Sequence, residues 1–228
     1  MKALKTAIVY YDNFAPLDIF GPMQAMNLSF APPKEGDPDN KKNPLFQLYS
    51  VGSRVGFFKT GINSGGPEVF CSNSFDSLPP VDIVLIPGGM GSRTLVEDEF
   101  FIDQLRDLVL KTPIVLSVCT GAGLLARTGF LDGKKATSNK TPDAWNFVNK
   151  QGENVNWDYK PRWTGAVDKA SRSGYMSSAG VAAGIDMMLA LINELFGCKV
   201  VQVTQDKMEY TWNSDPSEDP FTKLCADC

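Results

Sequence analysis

The residues with most chemical potential stand in Val118-Cys119-Thr120-Gly121. An apolar run, Ile114-Val115-Leu116-Ser117-Val118, stops at the cysteine, and Ala122 to Thr128 reads as a short helix closed by Gly129. A thiol in a tight turn between a buried strand and a helix lies at the positive end of that helix, where backbone N–H groups favour a thiolate. The same spacing suits a buried structural cysteine, one of the commonest fates of a free thiol. No histidine occurs among the 228 residues. That excludes Ser-His-Asp and Cys-His pairs, H-E-x-x-H zinc sites and imidazole shuttles, so acid–base work falls to carboxylates, thiols, phenols or amines.

A carboxylate with suitable surroundings is Asp18, in Ala15-Pro16-Leu17-Asp18-Ile19-Phe20-Gly21-Pro22. Flanked by Leu17, Ile19 and Phe20, it is either an exposed helix-start residue or an acid turned into a partly apolar pocket. In the second case its pKa rises, and the protonated form donates to a neighbouring thiolate. Gly88-Gly89 ends the run Asp82-Ile83-Val84-Leu85-Ile86-Pro87. A glycine pair there serves as an oxyanion hole of backbone N–H groups or as a plain strand-to-helix turn. Arg93 in the same loop reads as a surface charge. Gly121-x-Gly123-x-x-Ala126 superficially fits a dinucleotide fingerprint, but Lys135-Ala136-Thr137-Ser138-Asn139 lacks the ribose-binding acid and Cys119 fills the pyrophosphate position. NAD is therefore not expected. Cys225-Ala226-Asp227-Cys228 has C-x-x-C spacing without a second ligand pair, so no metal is expected either.

Alternating elements must position these groups. Ala7 to Tyr11, Phe46 to Val51, Val69 to Ser72, Asp82 to Ile86, Ile114 to Val118, Lys135 to Ser138 and Tyr175 to Ser178 read as strands. Helices are expected over Leu17–Leu28, Glu97–Lys111, Ala122–Thr128, Pro142–Lys150 and Val181–Phe196. Continuous apolar strands between helices imply an α/β fold, a mostly parallel sheet with helices on both faces. Residues 31–44, with four prolines and six charges, read as a surface loop. Gly197 closes the last helix, after which a C-terminal tail is expected to wrap the surface, and no internal linker divides the chain, so residues 1–228 are expected to form one domain.

Composition narrows the partners. Lys plus Arg is 22 and Asp plus Glu is 26, a net charge of −4, which gives no basic face for nucleic acid or an anionic membrane. No apolar run is long enough to span a bilayer. Five scattered cysteines do not form a disulfide framework, and no leader precedes the first strand, so a cytoplasmic protein with reduced thiols is expected.

Four segments together resemble the DJ-1/PfpI superfamily, and within it the isonitrile hydratase branch: Leu17-Asp18-Ile19-Phe20-Gly21-Pro22, Ile86-Pro87-Gly88-Gly89, Ser117-Val118-Cys119-Thr120-Gly121 and Ser178-Ala179-Gly180-Val181-x-x-Gly184-Ile185-Asp186. The resemblance implies a flavodoxin-like sandwich, a homodimer, and Cys119 as nucleophile on a strained elbow. It also implies that Asp18 faces the thiol, that Thr120 assists, and that backbone groups at Gly88, Gly89 and Gly121 bind substrate or an oxyanion. The reaction it implies is hydration of a small-molecule isocyanide to an N-substituted formamide, through a cysteine thioimidate and without cofactor. The alternatives are a redox or electrophile sensor with an oxidisable cysteine, and a non-catalytic ligand-binding dimer. Asn139 stands where many relatives carry histidine, and the 31–44 loop is an addition to the bacterial pattern.

Overall fold

A computed structural model describes residues 2–32, 43–61 and 66–224. The central sheet has seven strands: β1 (Leu4–Val9), β2 (Phe46–Gly52), β3 (Asn73–Ser74), β4 (Ile83–Ile86), β5 (Ile114–Val118), β6 (Trp163–Asp168) and β7 (Ser173–Ser178). Their order is β6-β7-β5-β4-β1-β2-β3, and every pairing is parallel except β6 with β7. The five long parallel strands thus run β2-β1-β4-β5-β7, the flavodoxin-like order. Every residue of β4 (Ile-Val-Leu-Ile) and β5 (Ile-Val-Leu-Ser-Val) is buried, as a sheet covered on both faces requires.

The helices divide between the two faces. α1 (Pro16–Asn27), α6 (Ala183–Phe196) and α7 (Cys198–Met208) pack on one another; α2 (Ser92–Leu95), α3 (Glu99–Lys111), α4 (Gly121–Arg127) and α5 (Pro142–Val148) form the other layer. Sequence periodicity places α3 well: Phe101, Ile102, Leu105 and Val109 are buried, and the Asp98 carboxylate caps its start by accepting from the Phe101 N–H at 3.1 Å. Pro16 begins α1 at a position where its missing N–H costs nothing.

Three expectations change. The segment after Gly197 does not begin as an irregular wrap. It forms α7, because Val200, Val201 and Thr204 share one face and bury against α1 and α6. Lys135–Ala136 is not a strand of the central sheet but a two-residue ladder with Asn156–Trp157, and β6, an antiparallel edge strand, joins the sheet from a stretch not read as a strand. Of the 31–44 loop, residues 33–42 lie outside the described residues, as do residues 62–65 and Cys225–Cys228. Phe30–Ala31 pairs antiparallel with Asn43–Pro44.

The chain beyond α7 is tied down by a buried ion pair. Arg162 donates from Nε and Nη2 to Asp186 Oδ2, each at 2.7 Å, and its Nη1 lies 3.8 Å from Asp219 Oδ1. Asp186 Oδ1 accepts from the Tyr210 hydroxyl (3.0 Å) and the Asn213 N–H (3.1 Å). The backbone at Arg162 receives Ala179 N–H at 2.8 Å, next to the loop that joins β7 to α6. Removing one charge strands the other in the interior. Arg162→Met should therefore lower unfolding stability by about 3–5 kcal/mol, and a double Arg162→Met, Asp186→Leu change should cost less than the single one. Urea denaturation of the three proteins checks this.

Candidate active site

Ligands of an open α/β sheet gather at the carboxyl ends of strands beside the point where strand order reverses. Here that point lies between β1 and β4. Asp18 follows β1, Gly88 and Gly89 follow β4, and Cys119 follows β5. Backbone bonds stitch the first two loops together: Ala15 N–H donates to Gly88 O at 2.8 Å, and Gly91 N–H to Asn13 O at 3.2 Å.

Cys119 is a non-glycine residue in the left-handed region, with φ of 57°. That conformation costs on the order of 1–2 kcal/mol and persists only where neighbours over-determine it. They do so here. The Cys119 N–H donates to Ser178 O at 3.1 Å, and the Ser138 hydroxyl donates to Cys119 O at 2.7 Å. Glycines let the elbow fit. A Cβ on Gly88 would lie 2.5 Å from Thr120 N and 2.9 Å from Cys119 Cβ, and one on Gly121 would lie 2.4 Å from Ile86 O.

The sulfur is surrounded closely; Cys119 is only 6% exposed. Asn139 Nδ2 donates to it at 3.4 Å. The orientation of that amide is forced, because Asn139 Oδ1 accepts both the N–H and the hydroxyl of Thr141 at 2.8 Å, leaving the NH₂ to face sulfur. Gly180 packs on the same side: a Cβ there would stand 2.8 Å from Cys119 Sγ and 2.3 Å from Asn139 Nδ2.

Asp18 is fully buried. Its Oδ2 accepts the Gly88 N–H at 2.8 Å, while buried Oδ1 has no hydrogen-bond partner. Burial raises its pKa from 3.8 to about 7, against opposing pulls from the Gly88 N–H and the Cys119 thiol. The first turn of α1 favours a carboxylate by at most about 1–2 kcal/mol, whereas a shift of this size corresponds to roughly 4 kcal/mol, so desolvation wins.

The thiol departs from expectation. Sequence position suggests a depressed pKa; burial, and next the Asp18 carboxylate, push Cys119 up instead, and donors from Asn139, the Thr120 N–H and the Thr120 hydroxyl offset only part of this. α4 has seven residues, and its positive end does not overcome desolvation of the sulfur. The Asp18 charge thus adds to burial in holding the proton on the Cys119 sulfur.

The glycine N–H groups also have different employment from that expected. Gly88 N–H is given to Asp18, and Gly89 N–H is given to Thr120 Oγ1 at 3.0 Å. The Thr120 hydroxyl in turn accepts from Ser92 Oγ at 2.9 Å. Gly88 and Gly89 thus aim Asp18 and Thr120, and neither N–H is left for an oxyanion. Arg93, read as a surface charge, ion-pairs with Asp143 beside the Phe147 ring. Sequence reasoning did not single out Ser92, Ser138 or Tyr11 for this site, and it recorded Asn139 only as a departure from relatives; Gly180 had a signal in Ser178-Ala179-Gly180-Val181. Among the described residues no group of His, Cys, Asp and Glu side chains could hold a metal ion, and no helix is long and apolar enough to cross a membrane.

Comparison with known proteins bears on the family and the fold. The sequence model of the DJ-1/PfpI family matches residues 49–194. An isonitrile hydratase of Pseudomonas putida is 33% identical over 152 residues, 65% of this chain and 60% of the relative, so the match spans three fifths of that enzyme's length. Protein dj-1beta of Drosophila melanogaster is 28% identical over 153 residues, 62% of this chain and 75% of that one. A ThiJ/PfpI family protein from Pseudomonas syringae superposes with a TM-score of 0.72 at 21% identity, covering 96% of this chain and 79% of that one, a likeness of fold.

Two predictions follow from the packing and the titration. Gly180→Ala should displace the sulfur or the pinned Asn139 amide, lowering stability by about 1–3 kcal/mol and changing the rate of Cys119 alkylation by iodoacetamide; thermal melts read the stability and peptide mass spectrometry reads the rate. Asp18 has a folded-state pKa above its unfolded value, so its favourable contribution is complete below about pH 4 and disappears as pH rises through about 7. Asp18→Asn, neutral throughout, should therefore gain stability over the parent between pH 5 and pH 8, by about 2–4 kcal/mol at the upper end. Thermal melts across that range measure it.

Proposed function

This chain belongs to the DJ-1/PfpI family, and on that premise we propose that it hydrates isocyanides to N-substituted formamides with Cys119 as nucleophile and Asp18 as proton carrier. The observation that carries the reading is the Asp18 carboxyl. It is anchored through Oδ2 by Gly88, has Oδ1 unpartnered in the interior, and is tuned to about pH 7 next to a protonated thiol. An acid poised near neutrality gives up and recovers a proton with little penalty either way.

The reaction suits such a pair. As Cys119 Sγ bonds to the terminal carbon of R–N≡C, Asp18 takes the thiol proton and passes it to that same carbon. The product is the thioimidate R–N=CH–S–Cys119. Water then adds to the carbon with Asp18 accepting its proton, nitrogen is protonated, the C–S bond breaks, and R–NH–CHO leaves with the thiol restored. Electron density released by the sulfur appears on carbon, where a proton quenches it, and no oxyanion forms in the first step. Acyl transfer, by contrast, needs free donors aimed at a developing oxyanion, and the Gly88 and Gly89 N–H groups are already bonded. With no histidine in the chain, Asp18 is the base the site offers. Asn139 and the Thr120 N–H steady the charge that builds on sulfur during transfer. The 33% identity to an isonitrile hydratase supports the same reaction.

A second reading draws on the likeness to dj-1beta. A carboxyl half-protonated at neutral pH would also donate to a Cys119 sulfinate formed by peroxide. Two added oxygens confined to Cys119 after mild peroxide, together with no isonitrile turnover, would favour it.

Formamide production from a simple alkyl isonitrile, followed by NMR, tests the hydratase reading. Cys119→Ala should abolish turnover, and Asp18→Asn should lower kcat by about 10²–10⁴-fold. Because Asp18 must be ionised to accept the thiol proton, kcat/KM should fall as pH drops below about 7. Turnover that survives loss of the sulfur would overturn the proposal.

A further inference from the structure

We propose that Tyr11 is a positioning residue that sets the proton affinity of Asp18 through the Pro87–Gly88 peptide. The two faces of that single peptide unit are both engaged. Its carbonyl, Pro87 O, accepts the Tyr11 hydroxyl at 2.7 Å; its N–H, on Gly88, donates to Asp18 Oδ2 at 2.8 Å. A donor on the carbonyl draws electron density from the amide and makes its N–H a stronger donor, the cooperative effect seen in hydrogen-bond chains. A stronger donor to a carboxylate favours the ionised acid.

The ring is held so that the hydroxyl keeps this direction. Tyr11 is buried just past β1, makes an edge contact with Phe101 of α3 at 6.3 Å between centroids, and lies so near Gly91 that a Cβ there would stand 3.0 Å from its Cδ2. Burial, then Asp18 and Cys119, hold the phenol well above its ordinary pKa, so it remains a donor at any working pH. Besides burial, Asp18 and Cys119 act on Tyr11, and the Gly88 N–H and the Cys119 thiol act on Asp18; no cation is among them. With no positive charge to fix the carboxyl, this relay is the adjustable element.

The inference rests on the role assigned to Asp18 in the hydratase reading, and its test separates the two. The acid limb of Cys119 alkylation by iodoacetamide, measured against pH on the full chain, reports Asp18 ionisation with no isonitrile present; Asp18→Asn should erase it. Tyr11→Phe should move the midpoint upward by about half a pH unit, and 3-fluorotyrosine placed at position 11, a stronger donor of nearly the same shape, should move it downward. Opposite displacements support the relay, and they would do so even if wild-type protein made no formamide, in which case only the hydratase reading fails. Midpoints that stay put in both variants, or move together, overturn it. Should Tyr11→Phe fold poorly, the fluorinated protein alone decides by the presence or absence of its downward displacement.

Discussion

The site depends on keeping one carboxyl group out of water. Asp18 is fully buried, meets the Gly88 N–H and the Cys119 thiol, and has no arginine or lysine among the groups that act on it. An unpaired buried carboxylate is costly, and the group relieves the cost by holding its proton to higher pH. The chemistry then follows from where the proton goes. The nearest nucleophile is a thiol that is itself desolvated, so neither partner ionises freely and each protonation state is set by the other. This differs from a cysteine activated by imidazole or by a helix end, where the thiolate stands ready before substrate arrives. Here burial and the neighbouring carboxylate hold the proton on sulfur.

Keeping Asp18 in place absorbs much of the surrounding backbone. The Gly88 N–H, which in another arrangement would stabilise an oxyanion, orients the acid; the Gly89 N–H holds Thr120, and Thr120 is braced by Ser92. Glycine is required at 88 because the strand end and the cysteine elbow approach until a single methyl group would collide with Thr120. The fold thus commits these two donors to placing side chains.

Much of this architecture was legible in sequence. Two runs, Ile83–Ile86 wholly apolar and Ile114–Val118 broken only by Ser117, announce buried parallel strands, and a cysteine between such a strand and Gly121 announces an elbow. Asp18 was legible as two alternatives, because apolar neighbours suit a helix start and a pocket equally. The direction of the thiol's shift was not legible. It depends on burial of the sulfur by segments distant in sequence, Gly180 among them, and on the neighbouring Asp18, while Asn139 pulls the other way. α7 was missed because its polar residues dilute the apolar face of Val200, Val201 and Thr204. β6 was missed because Gly165 and Asp168 interrupt its pattern and its outer edge is unpaired, so nothing local demands a strand. Tyr11 carried no signal, since a tyrosine after an apolar strand packs in a core far more often than it serves a neighbouring peptide.

The elbow that bears the sulfur is bonded on both sides, its N–H to Ser178 and its carbonyl to Ser138. With the main chain clamped in this way, rotation about the Cα–Cβ bond is the motion left to the sulfur, and any reagent that meets it would have to do so along the arc of that one torsion.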